Sequence, residues 1–379
     1  MPERTGAPRP LVAFDVTPLQ NAHRVRGIGR YVRGLAAALH AQQELPIEFW
    51  GWHDDRPFDV RPPHRGLWLH RFGLPRSRWS WFTGPIGMRL RLRLSRVDAV
   101  HITDPRAFTH LPVRTLTTVY DLIPLLDPDW NRTNREWRAY KKYLDRLGGA
   151  AGIFAISNQT ASDLRQHLDI PPPPVQVAPP GVTPTTAGLE SVAGPKAAAG
   201  DKYFLYIGTA ERHKNLGVLF QAFAGLTELP ERLILIGPWY GPNLAMLREW
   251  LRTKPELQGR VNYQGFVPDE ELTRLTRGAT AVVVPSRWEG FGLPVAEALA
   301  AGGVVIHSRI PVLLDVSGAA ALSFDPASPE ELAEGLRRLS SDRALRQGLR
   351  EAGMARARSL TWGPAVERTL AMYRSQLGG

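Results

Sequence analysis

Cysteine is absent from the 379 residues. That excludes a disulfide framework, a Cys-ligated zinc or iron–sulfur site, and a cysteine nucleophile. Long apolar runs are missing too: none reaches the ~18 uninterrupted residues that a membrane-spanning helix needs. The opening segment MPERTGAPRP lacks the apolar core of a secretion signal, so a cytoplasmic location is expected. Asn131-Arg132-Thr133 and Asn158-Gln159-Thr160 then match the glycosylation sequon by coincidence.

What is present describes a folded chain long enough for two domains, with 43% hydrophobic and 22% charged residues. The net charge of +11 is unevenly placed. Residues 1–180 carry 25 Lys and Arg against 16 Asp and Glu, and the remainder 22 against 20. A positive field on the first half favours anionic partners.

Short apolar runs alternate with helical patterns. Strands are expected at 11–14, 47–50, 99–102, 117–120, 153–156 and 175–177, with helices at 28–40, 135–147 and from about 159. Residues 181–200, rich in Gly, Pro, Ala and Thr without periodicity, read as a linker. The pattern then repeats. Strands are expected at 203–207, 232–236, 261–263, 281–284 and 304–306, and helices at 216–226, 243–252, 269–276 and 294–301. No element is placed between 307 and 358, and Trp362 to Leu377 reads as an amphipathic helix. Alternation of this kind implies an α/β fold: two Rossmann-like domains whose parallel sheets face a central cleft. The expected domains are 1–180 for the acceptor and 201–358 for a nucleotide sugar, with 359–379 crossing back to the first.

The segment from Val284 to Gly302 carries the most chemistry. A buried strand ends at Val284, a loop holds Glu289, Gly290, Phe291, Gly292 and Leu293, and Pro294 starts a helix that Gly302 stops. Amides of residues 291–293 at a helix start attract phosphate through unpaired N–H groups and the helix dipole. Glu289 and Glu297 flank the loop. Like charge repels phosphate, but a carboxylate accepts hydrogen bonds from vicinal hydroxyls. A diphosphate with a sugar on each side needs that layout.

EGFGLPVAEALAAG, preceded by Pro285-Ser286, resembles the donor-site signature of retaining glycosyltransferases of family 4, which have the GT-B fold. The resemblance continues at Tyr206 to Leu216, Gln264 to Leu272, Gly27 to Val32 and Thr361-Trp362. It implies that Lys214, with Arg212 and Thr209 nearby, neutralises the donor diphosphate. It further implies that Glu297 holds the ribose, Glu289 the transferred sugar, and the backbone of Phe266 and Val267 the base. Where the family usually has His-Asp-Leu, this chain has Tyr120-Asp121-Leu122, so Tyr120 and Asp121 are expected beside the transferred sugar.

Gly27 and Gly29 open a helix and are expected to offer amides to the donor phosphate. Arg24, Arg26 and Arg30 are expected to draw an anionic acceptor, and His101 and Asp104, at the end of a strand, to face it. The resemblance implies a retaining reaction in which the leaving diphosphate helps deprotonate the acceptor. No Asp-x-Asp pair is placed for a donor, so no metal or other cofactor is required, although Mg²⁺ is compatible. The donor expected is GDP-mannose, with a UDP- or dTDP-sugar as runner-up, and the acceptor a glycan or lipid-linked glycan.

Trp79, Trp81 and Phe82 among Arg76, Arg78 and the arginines of 89–96 give two readings, an anionic membrane contact or a partly buried helix. Two other functions compete with this one. A sugar-nucleotide epimerase of the same fold needs further cleft carboxylates at motif positions, and none stands there. A nucleic-acid-binding protein fits the pI of about 10.2, but the charge is confined to one half and no binding motif accompanies it.

Overall fold

A computed structural model of the chain describes residues 10–20, 22–42, 44–50, 97–104, 111–128, 130, 135–168, 173–182, 202–239 and 241–378. The aromatic and basic segment at 76–96 and nearly all of the expected linker at 181–200 lie outside the described residues. The chain divides into two compact units, Met1–Gly181 together with Trp362–Gly379, and Val182–Thr361.

The first unit contains β1 (Val12–Asp15), α1 (Gly27–Gln42), β2 (Ile47–Trp50), β3 (Ala99–Ile102), β4 (Arg114–Val119), α2 (Ile123–Leu126), α3 (Arg135–Leu147), β5 (Gly152–Ala155), α4 (Asn158–His167) and β6 (Val175–Val177). The strands lie in the order β2-β1-β3-β4-β5-β6, and every neighbouring pair is parallel. All four residues of β1, β3 and β5 are buried, as expected for strands covered on both faces. Ser157 caps α4 by accepting the Thr160 amide at 3.0 Å.

The second unit contains β7 (Tyr203–Ile207), α5 (Leu216–Ala224), β8 (Arg232–Ile236), α6 (Pro242–Thr253), β9 (Val261–Gly265), α7 (Asp269–Gly278), β10 (Ala281–Val284), α8 (Leu293–Ala300), β11 (Val305–Ser308), α9 (Pro311–Ser317), β12 (Leu322–Phe324), α10 (Pro329–Ser341) and α11 (Arg343–Ala357). Its parallel strands run β12-β11-β10-β7-β8-β9. The order reverses between β7 and β10, and open α/β sheets bind ligands beyond the strand ends at such a point. The elements from α9 to α11 fill the stretch for which the sequence pattern gave none.

The last helix, α12 (Gly363–Leu377), belongs to the first unit. Arg368 donates to the Val177 carbonyl at 3.0 Å, and Arg374 pairs with Glu44. The Trp362 ring lies so close to Gly34 that a Cβ there would sit 2.0 Å from it. Tyr373 is fully buried.

His101 is corrected by this packing. It was expected at a strand end facing an acceptor, but its side chain points into the core. Nδ1 lies 2.6 Å from the Tyr373 hydroxyl and Nε2 2.8 Å from Thr118 Oγ1. The ring stacks on Phe154 with centroids 4.5 Å apart. Burial pushes its pKa down to about 3, so it is a neutral packing residue.

Candidate active site

The two loops that leave β7 and β10 carry Lys214 and Glu289. After β7, Arg212–Lys214 form a single 3-10 turn, and Asn215 ends it at φ 55, a left-handed conformation that Asn tolerates better than most residues. The Asn215 amide donates to the carbonyls of Pro285 at 3.0 Å and Pro326 at 2.8 Å. It therefore ties the loops after β7, β10 and β12 together. The Arg287 amide donates to the His213 carbonyl at 2.8 Å, a further tie between the first two.

These ties bring Lys214 and Glu289 into contact. Lys214 Nζ donates to Glu289 Oε1 at 2.8 Å, and Ser286 Oγ donates to the same oxygen at 2.8 Å. The side chains are only 16% and 9% exposed. Burial alone pushes the Glu289 carboxyl up, but Lys214, its hydrogen bond, His213 and Ser286 outweigh this and hold it below its usual value. The Glu289 carboxylate stays ionised, in surroundings where it needs a counter-charge.

From Glu289 the chain runs through buried Gly290 and Phe291 to Gly292, which begins α8 at φ 98. A Cβ at Gly292 would stand 2.5 Å from Leu313 Cδ2, so both backbone angle and space select glycine there. Leu293 is the first helical residue and Pro294 the second, one place later than the sequence pattern gave. In its first-turn position the Leu293 amide has no intrahelical acceptor and, with the helix dipole, favours an anion. Glu297, half-buried, lies in the second turn of the same helix. Gly302, at φ 74, follows the helix end as expected. Thr209 is half-buried and Arg212 exposed on the β7 loop, Val267 is half-buried, and Phe266 is 60% exposed just beyond β9.

In the first unit the strand order turns at β1 and β3. Asp15, the last residue of β1, was not singled out by the sequence. Its carboxylate accepts the amides of Thr17 at 2.8 Å, Thr103 at 3.1 Å and Asp104 at 3.0 Å. Burial pushes Asp15 up while these bonds pull it back. Asp104 is itself buried.

The turn before α1 is tight: a Cβ at Gly29 would lie 2.3 Å from the His23 carbonyl. Gly27 is the first residue of α1, Arg24 is exposed, and Arg26 and Arg30 are half-buried. Tyr120 is buried, its ring edge-to-face with Tyr31 at 5.6 Å, and its hydroxyl has no hydrogen-bond partner among the described residues. Asp121 Oδ1 accepts the Ile123 amide at 3.1 Å, which makes it a turn residue at the start of α2.

Ser286 and Asn215 were not singled out by the sequence as site residues. Their type is common in loops; the Asn215 partners lie far along the chain, and Ser286 reaches Glu289 three residues on. Among the described residues no group of three or more His, Asp and Glu is placed to hold a metal ion. No helix among them is long and apolar enough to cross a membrane.

A family model described as Glycosyltransferase Family 4 matches residues 25–186, and one described as Glycosyl transferases group 1 matches residues 190–356. An O-antigen chain mannosyltransferase B of Escherichia coli is 28% identical over 275 residues, 70% of this chain and 71% of that protein. A D-inositol 3-phosphate glycosyltransferase 1 of Catenulispora acidiphila is 34% identical over 191 residues, 46% of this chain and 44% of its own length. Among solved structures, a sucrose-phosphate synthase from Thermosynechococcus elongatus superposes with a TM-score of 0.77 at 20% identity, covering 98% of this chain and 100% of the other.

The fold and the family matches define a nucleotide-sugar-dependent glycosyltransferase with the GT-B fold. The chain belongs to glycosyltransferase family 4.

Proposed function

We propose that the chain is a retaining hexosyltransferase that moves mannose from GDP-mannose to a glycan or lipid-linked acceptor. The observation that carries the reading is the Lys214–Glu289 contact, 2.8 Å long and nearly buried, beside the glycine-led start of α8. A diphosphate drawn to the Gly292 and Leu293 amides takes Lys214 as its counter-charge. Glu289 is then released to the hydroxyls of the transferred sugar, and Glu297 accepts from the ribose. Thr209 and Arg212 border the phosphates, and Phe266 and Val267 the base.

In the first unit, Gly27 and Gly29 offer amides to a donor phosphate. Arg24, Arg26 and Arg30 draw an anionic acceptor, with Asp104 beside them. Tyr120 and Asp121 border the sugar. The bond from the anomeric carbon to the diphosphate oxygen breaks. The acceptor hydroxyl oxygen bonds to that carbon on the same face, and its proton passes to the departing diphosphate. Lys214 and the helix-start amides stabilise the charge that develops on the leaving group.

Mannose is favoured because a relative aligned over 70% of the chain is named a mannosyltransferase. Thermal melting with GDP, UDP and dTDP and their sugars tests the donor, since a ligand of the native state alone raises its stability. The expected result is stabilisation by GDP and GDP-mannose above the others, with GDP released only when acceptor is added. Stabilisation by UDP or dTDP compounds instead moves the donor assignment, and stabilisation by none of them sinks the reading.

A further inference from the structure

Two aromatic side chains of the second unit donate to the backbone of the arm that carries Lys214, and a third, Tyr263, holds the backbone of the neighbouring loop that carries one of them. Trp239 Nε1 donates to the Gly208 carbonyl at 2.8 Å. The Tyr206 hydroxyl donates to the Thr209 carbonyl at 2.6 Å. The Tyr263 hydroxyl donates to the Gly237 carbonyl at 2.9 Å and accepts the Trp239 amide at 3.1 Å. Trp239 and Tyr263 stack with centroids 5.0 Å apart, and Tyr206 meets Trp239 edge-on at 6.2 Å. Trp239 and Tyr206 are each about 2% exposed. The loops themselves touch, for the Gly208 amide donates to Ile236 and a Cβ at Gly237 would stand 2.0 Å from the Gly208 carbonyl.

Aliphatic residues would fill this space as well without fixing any carbonyl. The polar atoms add direction, and two of the three bonds end on consecutive residues, Gly208 and Thr209, at the root of the arm. Burial pushes the Tyr206 hydroxyl far above its usual range, so it remains a donor.

We propose that Trp239, Tyr206 and Tyr263 are positioning residues for the donor: they lock the Gly208–Lys214 arm in the conformation that meets a diphosphate, so that binding costs no reordering of that loop. The inference rests on the donor reading given above. It predicts a penalty confined to the phosphate part of the ligand.

The test compares binding of guanosine and GDP, by calorimetry, to the wild-type chain, Trp239→Phe, Tyr206→Phe and Lys214→Ala. Each Phe variant keeps a ring and loses one donor. The expected result is a drop in GDP affinity of about threefold to tenfold in both, the size of one lost hydrogen bond. Guanosine affinity should be unchanged, and KM for the nucleotide sugar should rise more than kcat falls. Equal losses for guanosine and GDP would mark a general structural role and overturn the proposal, as would unchanged GDP affinity in Tyr206→Phe. Lys214→Ala separates the two layers. If it leaves GDP binding intact the donor reading itself fails, and if it alone weakens GDP the brace fails while the donor site stands.

Discussion

Lys214 and Glu289, 75 positions apart in sequence, neutralise each other at 2.8 Å, and Ser286 holds the same carboxylate oxygen. Lys214→Met leaves Glu289 without its counter-charge in a nearly dry place. Stability should fall by on the order of 2 kcal/mol, and turnover should be lost. The double variant Lys214→Met with Glu289→Gln should regain part of the stability and none of the activity. Urea unfolding of the four proteins measures the coupling, and additive losses would show that the pair contributes nothing as a pair.

The same pair sets an acid limit. The Glu289 pKa is held below its unfolded value, so its contribution is fully present above about pH 4.3 and is lost as pH falls through the folded value. Wild type and Glu289→Gln should therefore differ in stability near neutrality and converge in strong acid.

His101 acts over a different window with a different sign of charge. Its pKa falls from 6.5 to about 3 on folding, so the native state resists protonation. The neutral ring's contribution is complete above pH 6.5 and declines as pH drops toward 3, at roughly 1.4 kcal/mol per unit. His101→Gln should flatten that slope between pH 6 and 4, as read from unfolding free energies at fixed salt. An unchanged slope would mean the ring is not the titrating group.

Gly292→Ala combines a left-handed backbone with a Cβ 2.5 Å from Leu313. A loss of about 1–3 kcal/mol is expected, together with weaker donor binding because the helix start must shift. Gly292→Ala with Leu313→Ala removes the clash but not the backbone strain. It should recover packing while donor affinity stays low.

Tyr120→Phe deletes a buried hydroxyl that has no partner among the described residues. Thermal stability should not fall, because no hydrogen bond among the described residues is lost. A drop in kcat without a drop in melting temperature would assign that hydroxyl to the sugar, whereas unchanged kinetics would remove Tyr120 from the site.

Strands of the second unit were legible because buried parallel strands are short unbroken apolar runs, such as Leu233 to Ile236 and Ala281 to Val284. The helix start at Gly292 was legible to within one residue, since glycine before proline is a local signal. The elements from Pro311 to Ala357 were not, although Ser328 and Asp342 cap α10 and α11 by accepting amides three residues on. His101 was misplaced for a physical reason. A strand's alternation says that its side chains face two sides, not that one side is closed by a helix 272 residues later. Asp15, Asn215 and Ser286 escaped for a related one. Asp15 and Asn215 are short polar side chains that serve backbone far along the chain, and Ser286 serves the Glu289 carboxylate three residues on through a loop geometry that spacing alone does not reveal.

The return of α12 to the first unit has a consequence for synthesis. Residues 10–181 leave the ribosome first, yet the partner of His101 is Tyr373, 272 residues later. The earlier-made half must wait, with part of one sheet face uncovered, until that helix has been made. Chains stopped short of that helix should be retained by chaperones or degraded, even though every residue of the Lys214–Glu289 loops has already been made.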